Sequence, residues 1–200
     1  LDNALKNTGW RSSVYLATGS GIVVREVNVI NCSVRDNSAA GSKSYLVNLT
    51  ASGGSHGAVN ITNSRVKNCQ AVLSNAFADS SLKIRMFGIN MDGVSYFATF
   101  DAVAAEIHLG GIWTTGTINS AVLINFSSST MKIRSLGGMC STPTNGHVYI
   151  AGGSSNNPDV NGADLVCDTT KLSAVTGNLV RSSATGKVCM YDGAAWTAIA

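Results

Sequence analysis

The chain has 200 residues, 44% of them apolar and only 12% charged, and 14 basic against 11 acidic side chains leave a net charge of +3. So small and dispersed a charge does not imply nucleic-acid binding, and with no run of 18 apolar residues no membrane insertion is expected. Glycine, serine, threonine and asparagine take the place of charge, which suits many short strands and turns and argues against helical bundles and coiled coils, which need Glu, Lys and Ala.

The sequence opens at Leu1 without the methionine, basic stretch or apolar segment of a signal peptide, and reads as a piece cut from a longer polypeptide. Residues 1–20 are polar apart from Val14-Tyr15-Leu16, and are expected to be the end of a preceding coil or an N-terminal extension. The first complete unit contains Val27-Asn28-Val29-Ile30-Asn31-Cys32-Ser33-Val34. Val59-Asn60-Ile61-Thr62-Asn63-Ser64-Arg65-Val66 repeats it almost residue for residue, and further copies follow at 82–89, 105–112 and, more loosely, 131–138. Their central branched residues, Val29, Ile61, Ile84, Ile107 and Ile133, are 32, 23, 23 and 26 residues apart. A second strand series lies between the copies, with centres Val47, Val72, Phe97, Val122 and Val148 at steps of 25, 25, 25 and 26.

Two strand series on one period, with no helical pattern between them, predict a β-solenoid over residues 21–152 with rungs of about 23–26 residues. Parallel strands stacked at about 4.8 Å would set Val29, Ile61, Ile84, Ile107 and Ile133 in one inward column. Asn31 and Asn63 suit a tight corner, because asparagine tolerates the left-handed backbone and can bond its equivalent one rung away. Met86, Leu109 and Ser135 are expected at the same place in later rungs, which keeps any asparagine ladder short. Segments 36–44 and 51–57, rich in Ser and Gly, are expected as surface loops. Cys32 fills the slot held by Ser64 and Phe87 in the next copies. With Cys69, Cys140, Cys167 and Cys189 it makes an odd, widely spaced set without CxxC, read as reduced, mostly buried thiols.

The pattern stops near Gly152-Gly153, with Pro143 and Pro158 close by. Residues 153–200 are expected to form a small C-terminal β element: alternation from Lys187, a turn at Asp192-Gly193 and a second strand through Trp196 and Ile199. Such an apolar hairpin needs a surface to bury against, either the last open rung or a neighbouring subunit.

The two nearly identical units resemble coils of right-handed parallel β-helices of the pectin-lyase type. The ending, with Gly186, Val188, Tyr191, Asp192, Gly193 and Trp196 in a Gly-x-Val-x-x-Tyr-Asp-Gly-x-x-Trp pattern, is similar to the C-terminal ends of bacteriophage tail fibres and tailspikes. The first resemblance covers roughly residues 20–151 and the second only the stretch from Gly186. Together they imply a homotrimer in the virion tail, assembled in the host cytoplasm, that binds and often degrades a bacterial surface polysaccharide. No catalytic motif of a tailspike aligns with the chain, so no active site is carried over.

Two constellations could serve a polysaccharide. A glycosidase needs two carboxylates, roughly 5–5.5 Å apart for retention or 6.5–9.5 Å for inversion. Asp79, two residues after Phe77, and Asp101, directly after Phe100, would stack on neighbouring rungs near one corner, with Glu106 opening the next strand. The plainer reading gives Asp79 and Asp101 the turn positions that favour Asp. The second constellation is columnar and outward-facing: Asn28, Asn60, Lys83, Glu106 and Lys132 before the central positions, and Ile30, Thr62, Arg85, His108 and Arg134 after them. Glu106 between Lys83 and Lys132 reads as a cross-strand ion ladder, and Arg85, His108 and Arg134 read as a basic stripe able to grip an acidic sugar. A solvated face or a polar trimer contact is the alternative.

His56, His108 and His147 lack metal spacing, and no nucleophile elbow or phosphate loop is present, so no metal or cofactor is expected. Tyr96, Phe97, Phe100 and Trp113 could stack on sugars, but strand spacing makes Phe97 and Phe100 core candidates. The leading expectation is host-surface recognition. A polysaccharide depolymerase and a structural trimerisation stalk are the alternatives.

Overall fold

The computed structural model describes residues 11–35, 44–51, 54–75, 79–100, 104–115, 120–124, 131–138, 146–150 and 158–199. Within them the chain is all-β, with one 3-10 turn at Thr169–Lys171 and no α-helix. The strands are β1 (Arg11–Thr18), β2 (Val23–Ile30), β3 (Ser33–Arg35), β4 (Ser44–Ala51), β5 (Ser55–Thr62), β6 (Arg65–Lys67), β7 (Ala71–Asn75), β8 (Asp79–Asp92) and β9 (Tyr96–Phe100). They continue as β10 (Ala104–Thr115), β11 (Ser120–Ile124), β12 (Lys132–Ser135), β13 (Val148–Ile150), β14 (Asp159–Asn161), β15 (Val166–Cys167), β16 (Leu179–Ser182), β17 (Val188–Tyr191) and β18 (Trp196–Ala198). Among the described residues no helix is long and apolar enough to cross a membrane.

The chain alternates between two sheets. One has the order β14-β12-β10-β8-β5-β2, with β3 and β6 beside it; the other runs β1-β4-β7-β9-β11-β13-β15-β16-β17-β18. Pairing is parallel from β1 to β16, and each strand lies beside its counterpart one repeat away. Apolar side chains at alternate positions fill the space between the sheets, because a strand sends successive side chains to opposite faces. Val59, Ile84, Ile107, Ile133 and Val160 are fully buried in one row, and Ile61, Met86 and Leu109 in the next.

That register corrects the expected column. Val27 pairs with Val59, Val59 with Ile84, Ile84 with Ile107 and Ile107 with Ile133, while Val29 and Ile61 lead to Met86. A shift of two residues keeps every side chain on its own face, so the inward pattern does not distinguish the two alignments. In the second sheet the row is Val47, Leu73, Ala98, Val122 and Val148 rather than one through Val72 and Phe97. Here the slip is one residue, and its cause is visible in β7, whose five residues are buried on both faces. Without an exposed face there is no alternation to read. The side chains of Phe97 and Phe100 lie outside the described residues.

The corner expectation holds in kind and changes in membership. Asn31 and Asn63 have φ of 55° and 49°, and the row continues as Gly88, Gly111 and Gly138 at 62°, 59° and 82°, not as Met86, Leu109 and Ser135. Asn63 N–H donates to Phe87 O at 2.9 Å and Gly111 N–H to Gly137 O at 2.9 Å, so the ladder crosses the corner. A Cβ at Gly88 would lie 2.6 Å from Asn63 Oδ1, which explains why glycine follows asparagine. The asparagine ladder lies elsewhere, on the outer face, where Asn60 Nδ2 donates to Asn28 Oδ1 and Glu26 Oε1, both at 2.9 Å.

Cys32 does occupy a stacking slot, receiving support from Ser64, whose Oγ accepts its N–H at 3.3 Å. With the corrected register the slot continues to Ile89 rather than Phe87. Cys69, Cys167 and Cys189 are buried thiols, and burial pushes Cys167 up to about 12; Cys140 lies outside the described residues. Of the expected loops, Ser44 opens β4 and Ser55, His56 and Gly57 belong to β5; residues 36–43 and 52–53 lie outside the described residues. Val14-Tyr15-Leu16 lies within β1, with Val14 paired to Val47.

The stack also continues beyond residue 152. β14 pairs with β12, setting Val160 after Ile133, and β15 joins β13 to β16. Among the described strands, pairing turns antiparallel from β16 to β17 and from β17 to β18. The expected hairpin is β17 and β18: Asp192 Oδ1 accepts the Ala194 and Ala195 N–H groups at 2.9 Å, and Tyr191 meets Trp196 edge-on at 5.6 Å. Trp196 is partly buried against the core, whereas Ile199 remains 53% exposed.

Candidate functional site

With Ile84, Ile107 and Ile133 turned inward, their neighbours must point out. One outer row contains Glu26, Ala58, Lys83, Glu106, Lys132 and Asp159; the row beside it contains Asn28, Asn60, Arg85, His108, Arg134 and Asn161. Lys83–Glu106–Lys132 and Arg85–His108–Arg134 therefore stand in register as the sequence suggests, and only the early members move by two residues.

Contacts within the rows differ from a simple ion ladder. Glu106 Oε1 lies 3.0 Å from His108 Nε2, two residues along the same strand. That hydrogen bond holds the Glu106 carboxyl below its ordinary range against the opposing effect of burial, with help from the charges of His108, Arg134 and Lys132. Arg134 turns its fork to Asp159: Nη1–Oδ1 is 3.1 Å, Nη2–Oδ2 2.6 Å, and Nη1 also donates to the Asp159 carbonyl at 2.8 Å. Asn178 Nδ2 donates to the same carboxylate at 2.6 Å. Burial by itself would raise Asp159; the bonds from Arg134 and Asn178 and the nearby positive charges outweigh it, and the carboxyl sits below its usual value.

The basic stripe thus reduces to fewer free groups. Arg134 is occupied by a carboxylate in bidentate geometry, the strongest pairing available to it. Arg85, Lys83 and Lys132 are exposed and form no ion pair among the described residues. Asp159 and Asn178 are the functional neighbours that the sequence hides. Asp159 opens a three-residue strand with one apolar member and Asn178 lies just before β16, too little pattern for periodicity to reveal that the ladder reaches them.

Of the carboxylate constellation of Asp79, Asp101 and Glu106, the described residues show only the backbone of Asp79 and the whole of Glu106. Asn75 pairs with Phe100, and the backbone of Asp79 pairs with Ala104. Asp101 and the side chain of Asp79 lie outside the described residues. Glu106 pairs with Lys83 and Lys132. A general acid needs a carboxyl pushed upward, and Glu106 and Asp159 are both pushed downward.

His147 is buried, and its Nδ1 accepts the Val166 N–H at 2.8 Å, tying β15 to the segment before β13. Among the described residues no group of three or more His, Cys, Asp or Glu could hold a metal ion.

Asp159 is the joint between the sheet face and the terminal segment, which makes its removal informative. Asp159→Ala is expected to cost about 1–3 kcal/mol, because Arg134 and the buried Asn178 amide both lose their partner. A lowered folded pKa stabilises above the unfolded value, about pH 4, and that contribution fades as pH falls through the folded one. The difference between wild type and variant in urea unfolding should accordingly be larger near pH 7 than near pH 3. Equal differences at the two pH values would refute an ionised Asp159.

Set against protein-family models, curated proteins and solved structures, the chain matches none.

Proposed function

We propose that the chain is a segment of a bacteriophage tailspike or tail fibre, a right-handed parallel β-helix that recognises a bacterial surface polysaccharide as a homotrimer in the virion tail. The observation that carries this reading is the outer face of β8, β10 and β12. There Arg85, Lys83 and Lys132 stand exposed and unpaired among the described residues, on strands locked in register by a fully buried row. Cationic donors on a rigid parallel stack meet a repeating polymer with little ordering cost, because preorganisation removes much of the entropy of binding. The alternation between two parallel sheets supports the β-helix. The folded Gly186-to-Trp196 hairpin supports the tail-fibre resemblance, and exposed Ile199 at its edge suits trimer closure.

Recognition is favoured over cleavage because the carboxyls of Asp92, Glu106, Asp159 and Asp192 are each engaged in hydrogen bonds and held below their usual range, the opposite of what proton donation needs. Host capsular or O-antigen polysaccharide should be retained by the protein without release of reducing ends or unsaturated uronate. Release would replace recognition by a depolymerase. Failure of the intact assembly to bind any glycan on an array would leave a structural stalk. Arg85→Ala should weaken retention about tenfold while changing stability by no more than about 0.5 kcal/mol; unchanged retention would remove this row from the binding face.

A further inference from the structure

The corner row of Asn31, Asn63, Gly88, Gly111 and Gly138 separates the outer face described above from a second, shorter one. On that face β3, β6 and the far ends of β8 and β10 lie side by side, with Ser33, Arg65, Asn90 and Trp113 in one row. Val34, Val66 and Met91 occupy the next position inward, the last two fully buried, so the row with Trp113 faces out. Trp113 is 55% exposed. Asn90 and Arg65 are exposed as well, and their side chains make no hydrogen bond or ion pair among the described residues. Asp92, the acidic group of this face, is bonded to Lys67, and that bond, aided by the Lys67 and Arg65 charges, holds it below its ordinary range against the opposing effect of burial.

We infer that this short face is a second subsite, for an acidic sugar, in which the Trp113 ring stacks on a pyranose while the Asn90 amide pairs with its hydroxyls and Arg65 with a carboxylate. The inference rests on the polysaccharide reading and adds to it a place and a chemistry.

A single exposed tryptophan on a protein surface needs no explanation. What distinguishes Trp113 is the row it heads and the backbone beside it. Neighbouring strands stand about 4.8 Å apart, so ring, amide and guanidinium follow one another across the strands at intervals close to the length of one pyranose residue. A Cβ at Gly111 would lie 3.9 Å from Trp113 Cζ3, and one at Gly110 would lie 3.0 Å from the Phe87 ring. The glycine pair thus lets two aromatic rings, one on each side of the corner, lie against bare backbone. The result is an apolar strip with donors at its edge, the usual composition of a site for a ligand with one apolar and one polar face.

Charge favours an anionic ligand over a neutral one. Past the corner, Arg35, Arg65 and Lys67 on β3 and β6 face Asp92 at the end of β8, and Lys67 is the cation that neutralises it. Arg65 and Arg35 remain, with forks suited to a carboxylate.

The test uses the whole chain and three acidic polymers, polygalacturonate, hyaluronate and polysialate, with methyl-esterified polygalacturonate as the uncharged control. Binding is followed by tryptophan fluorescence and by co-sedimentation. At least one acidic polymer should bind, more weakly as salt rises, and the esterified polymer should bind worse. Trp113→Ala and Arg65→Ala should each weaken binding about tenfold, Asn90→Ala less, and Trp113→Phe less than Trp113→Ala because it keeps a ring. Unchanged thermal unfolding shows that each variant folds. If Trp113→Ala and Arg65→Ala bind like wild type while Arg85→Ala does not, the second subsite is overturned and the recognition reading stands. If no acidic polymer binds, the acidic subsite is overturned, and binding of host polysaccharide to the same preparation then decides the recognition reading separately.

Discussion

Truncating Ile107 to alanine should lower the unfolding free energy by about 2–5 kcal/mol. Ile107 is fully buried, between Ile84 on one strand and Ile133 on the other, and its neighbours along the next row, Met86 and Leu109, are buried too. The strands on both sides are pinned by hydrogen bonds in a continuous ladder. They cannot close over the lost atoms without breaking register, so most of the cavity should remain. Domains of this kind are stable by only about 5–15 kcal/mol, and one such cavity would take a large share. Val27→Ala offers the contrast. Val27 is in the same inward row but on the edge strand β2, and it is only partly buried, so its truncation should cost much less. Urea unfolding of the two variants measures this, with an unchanged slope showing that the loss is one of stability. Should Ile107→Ala prove no more damaging than Val27→Ala, the central row is not the core of the stack. A double-mutant cycle refines the point: Val59 and Ile84 are direct partners and should couple more strongly than Ile61 and Ile84, the pair that the sequence suggests.

That contrast marks the boundary of what the residues themselves disclose. Strand positions, inward and outward faces, the terminal hairpin and the rows Lys83–Glu106–Lys132 and Arg85–His108–Arg134 were legible because alternation along a strand encodes them. Absolute register was not. Moving Val29 and Ile61 by two positions keeps Val27, Val29, Val59 and Ile61 on the inward face, so the energy that separates the alignments lies in the corner, where Asn63 must meet a residue without a side chain. In β7 even the face was illegible, since Val72 and Leu73 are both buried. The free cationic row was half legible. Arg85 could be found by counting, but the loss of Arg134 to Asp159 depends on β14, three residues long with Val160 as its one apolar member. A polar strand of that length carries no period. Trp113 stands out in the sequence as an aromatic, yet its row-mates Asn90 and Arg65 appear only once Arg65 is aligned with Asn90, an alignment that the corner glycines impose.

Gly111→Val should be the most damaging change on the surface of the stack, costing about 2–4 kcal/mol through backbone strain and crowding together. Its φ is 59°, a region that a β-branched residue enters only at a penalty. The new Cβ would also lie 3.3 Å from Gly88 N and 3.6 Å from Gly88 Cα, backbone atoms that the ladder holds in place. Asparagine at the same site should be far better tolerated. Asn31 and Asn63 already adopt φ of 55° and 49° in this row, and Asn63 lays its Oδ1 where a Cβ of Gly88 would be. An asparagine at 111 would lean the same way, toward Gly138, which has no side chain to meet it. The row therefore has a direction. Gly88→Asn should be worse than Gly111→Asn, because its Cβ would come within 2.6 Å of Asn63 Oδ1 and displace that carboxamide. Thermal unfolding of Gly111→Val, Gly111→Asn and Gly88→Asn gives the order directly. Equal losses for Gly111→Val and Gly111→Asn would mean that conformation at the corner is not what requires glycine. Equal losses for the two asparagine variants would mean that the side chain of Asn63 does not point along the stack. If the expected order holds, asparagine closes the corner in the early repeats only because glycine follows it. The same succession of Asn68 by Gly93, with φ of 55° and 62° and a Cβ contact of 2.8 Å to Asn68 Oδ1, would then have the same cause.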